Sequence, residues 1–318
     1  MTDLRLGINL WSQAATWPEM LAFVRRVDAL GYDSVWTWDH LYAIVGDPYQ
    51  PVFEGWGMLN AWAMATERVR LGLMVGANTF RNPGLVAKQA ATLDHVSGGR
   101  AILGIGGAWM EPEHIAHGIP FGSGFGQRLD WLDESVAAIR ALLDGGTVTS
   151  PTGGQYTFQE LRHAPLPVQP HLPILIGGNG RKKTLRTIAK YADMWNGFGT
   201  PDEVRELDGV LRAHCANVGR DERQVERTIN LWVSIRDTKA AAREAWAAWM
   251  EHNRASLEET LEESRPLFGP PEVIAARLRE YVDAGFSTAI VEVPAPYDVE
   301  TLERLIGEVK PLVDAGPA

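Results

Sequence analysis

Residues 174–186 read Ile174-Leu175-Ile176-Gly177-Gly178-Asn179-Gly180-Arg181-Lys182-Lys183-Thr184-Leu185-Arg186. A short apolar strand, Ile174–Ile176, runs into a glycine-rich turn, and a helix is predicted to follow over Lys182–Tyr191. The same unit recurs along the chain. Arg5–Leu10 reads as a strand, and Trp17–Leu30 as an amphipathic helix closed by Gly31. Ser34–Trp38 is a second strand, with a loop to about Gly57 and a helix over Met58–Thr66. Val69–Val75 is a third, and Asn82-Pro83 occupies the N-cap and N1 positions of a helix running to Val96. Ser97-Gly98-Gly99 turns the chain into strand Ala101–Ile105, and Gln127–Leu143 is helical. Further strands are Met194–Asn196, Thr228–Ile235 and Thr288–Glu292. The helices between and after them are Asp202–Val218, Lys239–Arg265, Pro271–Ala284 and Val299–Val313. Residues 147–158 read as a β-hairpin excursion. Eight apolar strands, each followed by a helix, predict one (β/α)8 TIM barrel with insertions over residues 1–318. A doubly wound open sheet is the rival, because alternation alone does not distinguish closure from an open edge.

The chain has 318 residues, a net charge of −10, 45% apolar and 22% charged residues, and one cysteine. That balance argues against nucleic acid or an anionic membrane as the main partner. A lone Cys215 excludes an internal disulfide, and its flanks His214, Ala216 and Asn217 describe a polar helix rather than a nucleophile site. The first ten residues lack the charged and apolar blocks of a signal peptide, and no apolar run is long enough to span a bilayer. A cytoplasmic protein is expected.

Against this acidic background the cations Arg181, Lys182, Lys183 and Arg186 stand at the wrong end of the predicted helix, whose N-terminus already carries about half a positive charge. A bound anion held by free N–H groups would account for them, and glycines would let the backbone approach it. A solvated basic face is the plain alternative. In a barrel, active sites lie at the C-terminal ends of the strands. There the chain carries Trp38-Asp39-His40, Gly76-Ala77-Asn78-Thr79-Phe80, Gly104-Ile105-Gly106-Gly107-Ala108-Trp109 and Gly177-Gly178-Asn179-Gly180. His40 is the candidate for proton chemistry, since histidine titrates near neutrality. Trp38, Phe80 and Trp109 would form an aromatic wall for a planar ligand. Trp109 breaks a dinucleotide fingerprint, and the segment from Gly177 to Thr184 lacks phosphate-loop spacing. His114 and His117 read as loop surface, not as metal ligands, and no metal site is expected.

These same segments resemble the luciferase-like monooxygenase family, in particular its coenzyme F-420-dependent oxidoreductase branch. The resemblance is carried by Trp38-Asp39-His40-Leu41-Tyr42 with Gly46-Asp47-Pro48, and by Thr79-Phe80-Arg81-Asn82-Pro83 leading to Ala87-Lys88-Gln89 and Thr92-Leu93-Asp94. Ser97-Gly98-Gly99-Arg100 through Trp109, Glu113-His114 with Gly118-Ile119-Pro120-Phe121, and Pro173 to Gly180 with Tyr191 to Asn196 complete it. It implies a barrel that binds F-420, or alternatively FMN, at its mouth. By position, Asp39, Gly76, Ala77 and Gly107 would border the ring, and Gly177, Gly178, Gly180 and Arg181 would hold the phosphate. It also implies a non-prolyl cis peptide near Val75–Gly76. Sugar-phosphate dehydrogenases of this branch use a histidine at the position of His40 and a glutamate where this chain has Trp109, so the departure counts against sugar-phosphate oxidation.

The resemblance therefore implies hydride transfer between F-420 and a small, apolar or aromatic organic substrate, with His40 as proton donor or acceptor. Lys182, Lys183 and Arg186 would meet the glutamyl tail of F-420. Three alternatives stand: an FMN-dependent monooxygenase fed by a separate reductase, a cofactor-binding protein without turnover, and an unrelated sugar-phosphate-binding barrel. The oligomeric state is open: an apolar homodimer patch of Trp56, Met58, Trp62 and Met64 and simple core packing account equally well for those residues.

Overall fold

The computed structural model describes residues 3–150 and 152–316. The strands, in chain order, are β1 (Arg5–Leu10), β2 (Ser34–Thr37), β3 (Arg70–Leu73), β4 (Gly76–Ala77), β5 (Ala101–Gly106), β6 (Ile174–Gly177), β7 (Met194–Gly197), β8 (Glu226–Ile235), β9 (Leu267–Gly269) and β10 (Thr288–Val293). Parallel pairing runs β1–β2–β3–β5–β6–β7–β8–β10 and returns from β10 to β1, so the sheet closes. Closure decides for the (β/α)8 barrel against the open sheet. β4 continues the line of β3 and pairs with β5, while β9 adds to the end of β8.

Helices cover the ring: α1 (Trp17–Leu30), α2 (Gly55–Ala65), α3 (Pro83–Ser97), α4 (Glu111–His117), α5 (Phe125–Leu143), α6 (Thr184–Tyr191), α7 (Pro201–Asn217), α8 (Lys239–His252), α9 (Leu257–Ser264), α10 (Pro271–Asp283), α11 (Val299–Arg304) and α12 (Lys310–Asp314). Their starts follow local chemistry. The Asn82 side chain accepts from Gly84 N–H, with Pro83 at the first helical position of α3. Thr200 and Glu203 cap each other's backbone around Pro201 at the start of α7. Trp36, Met74, Ile102, Leu175, Met194 and Ile290 fill the barrel interior. A second aromatic layer of Trp11, Trp38, Trp246 and Trp249 closes over the ends of β1 and β2 beneath α8.

Four expectations change. The stretch 239–265 is two helices, because Asn253 turns inward to bond Gln13, Trp249 and Ala295, and Arg254 takes a positive φ of 56°. The last helix is interrupted by a π turn over Leu305–Val309. Trp56, Met58 and Trp62 are core residues, leaving only Met64 of the four exposed, so they form no apolar surface patch. The hairpin near 147–158, whose residue 151 lies outside the described residues, reduces to one bridge between Val148 and Leu161 and a bond from Ser150 N–H to Phe158 C=O at 3.0 Å. Cys215 is buried on the inner face of α7, and burial raises its thiol. Among the described residues no helix is long and apolar enough to cross a membrane.

Candidate functional site

The C-terminal ends of β2, β4, β5, β6 and β7 surround a cavity of about 560 Å³, a size suited to a small-molecule site. Its floor is backbone. A non-prolyl cis peptide joins Met74 to Val75, one residue earlier than expected. The Val75 side chain lies against the ends of β5 and β6. A Cβ added at Gly106 would sit 2.7 Å from it and force it to move, and one at Gly177 would crowd it at 3.0 Å. The surface left above is lined by Gly76, Ala77, Gly106 and Gly107, which carry no side chain beyond a methyl.

Asp39 organises this floor. It is buried, accepts a hydrogen bond from Ala77 N–H at 2.9 Å, and receives both guanidinium nitrogens of Arg81 at 2.7 and 2.9 Å. Glu54, which caps α2, takes Arg81 from the other side at 2.6 Å. Burial disfavours the Arg81 charge, yet Asp39 and Glu54 outweigh it and hold the guanidinium above its ordinary value. Asp39 thus borders the cavity while its carboxylate is engaged in tying β4 to β2.

His40 faces the cavity from the next position. Its Nδ1 lies 3.0 Å from Oε1 of Glu113. The other oxygen of Glu113 accepts from Leu41 N–H at 2.9 Å. Burial opposes ionisation of Glu113, but hydrogen bonds from His40 and from the Leu41 and Tyr42 backbone outweigh it and hold the carboxyl below its ordinary value. A carboxylate on Nδ1 fixes the tautomer and leaves Nε2 as the working nitrogen. Among the described residues nothing bonds Nε2. The Trp38 and Trp109 rings flank the imidazole edge-on, with centroids 6.1 and 5.5 Å away. Trp109 is 61% exposed at the mouth.

Glu113 is the cavity residue that sequence reasoning missed. It lies 73 positions from His40 in a segment quoted only for its likeness, and no local spacing links the two. Its neighbour His114 is not loop surface. It is buried in α4 between Phe80 and Phe121, with Nε2 at 2.6 Å from Thr79 Oγ1 and Nδ1 at 2.7 Å from Met110 C=O. Burial lowers its pKa, so it packs neutral. Phe80 belongs to that cluster and not to the cavity wall, whose aromatic side chains are Trp38, Trp109, Phe125 and Phe198.

The β6 loop is a cradle. Gly178 has a φ of 128°, and its N–H is spent on Asn196 C=O. Asn179 bonds the Phe198 backbone in both directions, tying the β6 and β7 loops together. Among the described residues the N–H groups of Gly180, Arg181, Lys182 and Lys183 meet no acceptor. A Cβ at Gly180 would lie 2.5 Å from Thr184 Oγ1, so a side chain here would push Thr184 aside. Unspent amides running into a helix fit an anion such as a phosphate. The cations, however, are placed differently from expectation. α6 begins at Thr184, so Arg181, Lys182 and Lys183 precede it. Arg181 pairs with Glu206 and Lys183 with Asp130, both at the surface. Lys182 forms no ion pair among the described residues.

The model of the family described as luciferase-like monooxygenase matches residues 5–288. The chain belongs to that family. Within it, a Mycobacterium tuberculosis protein described as uncharacterized is 34% identical over 175 residues, covering 55% of this chain and 60% of its own length. The chain thus spans three fifths of that relative. An F420-dependent glucose-6-phosphate dehydrogenase of Kineococcus radiotolerans is 28% identical over 98% of this chain and 97% of its own. Among solved structures, an F420-dependent secondary alcohol dehydrogenase in complex with an F420-acetone adduct superposes with a TM-score of 0.83. It is 21% identical, over 98% of this chain and 99% of that one. Such a likeness speaks for the luciferase-like barrel itself.

Proposed function

We propose that this luciferase-like protein is an oxidoreductase that binds coenzyme F-420 at the barrel mouth and exchanges a hydride between it and a small apolar or aromatic substrate. The observation that carries this reading is one cavity bounded by a glycine floor, an unspent-amide cradle and the His40–Glu113 pair. The full-length likeness to an F420-dependent dehydrogenase supports the choice of deazaflavin. Asp39, Gly76, Ala77 and Gly107 would border the ring, with Asp39 holding the Ala77 N–H. The N–H groups of Gly180 and Arg181 would take the phosphate, with Gly177 and Gly178 leaving the backbone room to approach it. When bound, the deazaflavin supplies or accepts the hydride.

The chain's own residues do the rest. Trp38 and Trp109 keep an apolar substrate beside the floor and exclude water. His40 Nε2 gives a proton to the substrate heteroatom in reduction and takes one in oxidation. Glu113 stabilises the imidazolium that forms in the second case, as a buried carboxylate does for a general base. Trp109 leaves no second carboxylic acid beside His40 at that position, which weighs against a sugar phosphate as substrate.

A second reading, an FMN-dependent monooxygenase supplied by a reductase, is favoured by the internal pairing of Arg181 and Lys183. Those two cations are less free to meet a polyglutamyl tail, and a single phosphate would satisfy the cradle. Separate titrations of the purified protein with F-420 and FMN, read by cofactor fluorescence, test the choice. Tight F-420 binding with weak FMN binding supports the first reading, and the reverse order refutes it.

A further inference from the structure

Across the barrel from β5, the wall made by β8, β10 and β1 holds a polar group that neither the cradle nor the His40 pair uses. Glu292 of β10 stands level with Asn9 of β1 and Trp232 of β8. It is buried, and its Oε1 accepts from Asn9 Nδ2 and Asn230 Nδ2, each at 2.9 Å. Its Oε2 accepts from Trp11 Nε1 at 2.7 Å, and Trp38 adds another hydrogen bond. All these partners are neutral donors, and among the described residues no cation pairs with it.

Asn230 lines the cavity. A carboxylate only accepts hydrogen bonds, so the amide nitrogen of Asn230 must face Glu292 and its oxygen must face away. That oxygen, Oδ1, meets no protein donor and is itself closed to solvent, so a ligand reaches it only as the Asn230 side chain turns toward the cavity. Orphaned buried acceptors are uncommon in folded proteins and ask for a partner. Trp38 shares both the Glu292 contact and the cavity wall, so the orphaned acceptor lies on the same side of the site as one of the aromatic faces.

We infer that Asn230 determines specificity: its Oδ1 accepts a hydrogen bond from a hydroxyl or N–H group on a small aromatic or apolar substrate, and Glu292 is the positioning residue that fixes the amide in that sense. The substrate role rests on the oxidoreductase reading above, whereas the binding itself needs no cofactor. The site therefore favours the donor-bearing member of an alcohol and ketone pair.

The test uses the full chain at pH 8, above the value of about 7 to which burial raises Glu292. It is titrated with 1-phenylethanol and with acetophenone, which share a skeleton but differ in having a hydroxyl donor. Binding is read by calorimetry and by tryptophan fluorescence. The alcohol is expected to bind about fivefold tighter, the factor supplied by one neutral hydrogen bond. Asn230→Leu removes the preference while leaving acetophenone affinity unchanged. Glu292→Gln, whose amide N–H can turn toward Asn230 and reverse it, lowers or inverts the preference, a change that simple loosening of the barrel would not produce. Equal binding of the two compounds by the wild type, a preference that survives Asn230→Leu, or no binding of either overturns the assignment. F-420 titration is scored apart. An Asn230-dependent preference without F-420 binding keeps the subsite and removes the redox reading, and F-420 binding without that preference does the opposite.

Discussion

Replacing Glu292 by glutamine removes a buried proton-binding group while keeping the volume of the site. The wild-type carboxyl is raised from an ordinary 4.5 to about 7, first by burial, with the hydrogen bonds from Asn9, Asn230, Trp11 and Trp38 opposing. That gap corresponds to roughly 3 kcal/mol of differential stability between the two protonation states. The sign follows from proton counting. Between pH 4.5 and 7 the folded chain keeps the proton and the unfolded chain releases it, so stability falls as pH rises and levels off above 7. Against a typical total of about 5–15 kcal/mol, this is a measurable share. Urea unfolding of wild type and Glu292→Gln at pH 5 and pH 8 isolates it, because every other titrating group cancels in the difference. The wild type is expected to lose roughly 2–3 kcal/mol more than the variant over that interval. Parallel profiles would refute the reasoning, since they would mean that the neutral donors alone hold Glu292 at an ordinary carboxylate value.

Three further outcomes bear on the site. Glu113→Gln should lower turnover by about ten- to a hundredfold, and His40→Ala by roughly a hundred- to ten-thousandfold, with F-420 affinity unchanged in both; normal turnover in Glu113→Gln would remove the pair from the mechanism. Arg81→Met leaves the buried Asp39 carboxylate without its counter-charge and should cost about 3 kcal/mol in urea unfolding, whereas an unshifted midpoint would show that Asp39 does not depend on it. Gly180→Ala forces Thr184 aside and should weaken F-420 binding about tenfold, the loss of roughly one amide hydrogen bond to the phosphate, with the melting temperature nearly constant; undiminished affinity would place the phosphate elsewhere.

The barrel was legible because its strands are short apolar runs bounded by glycine and proline, a pattern that local chemistry alone imposes. Arg5–Leu10 and Trp17–Leu30 begin and end where the sequence says, since Thr16, Glu19 and Gly31 cap that helix locally. The strand-end glycines were legible for the same reason. What failed to show were contacts made only when the ring closes. Asn253 ends α8 because Gln13 and Ala295 reach it from distant loops. His114 is buried by Phe80 and Phe121, and its own segment looks like surface. Glu113 finds His40 across two barrel units. The cations at 181–183 misled in the opposite direction. Their sequence position suggested a bound anion without saying which of them meets it, while Glu206 of α7 and Asp130 of α5 already pair with two of them.

The placement of Cys215 gives this chain a built-in clock. The thiol is the only one in the sequence and lies fully enclosed under α7. A thiol-reactive dye can reach it only while α7 lifts from the barrel, so the labelling rate under native conditions counts those openings directly. α7 stands after β7, whose loop is tied to the β6 loop through Asn179 and Phe198. If occupancy of the cradle steadies those loops, the dye will react more slowly in its presence. Ligand engagement could then be followed at a position remote from the cavity, without adding a probe to the site itself.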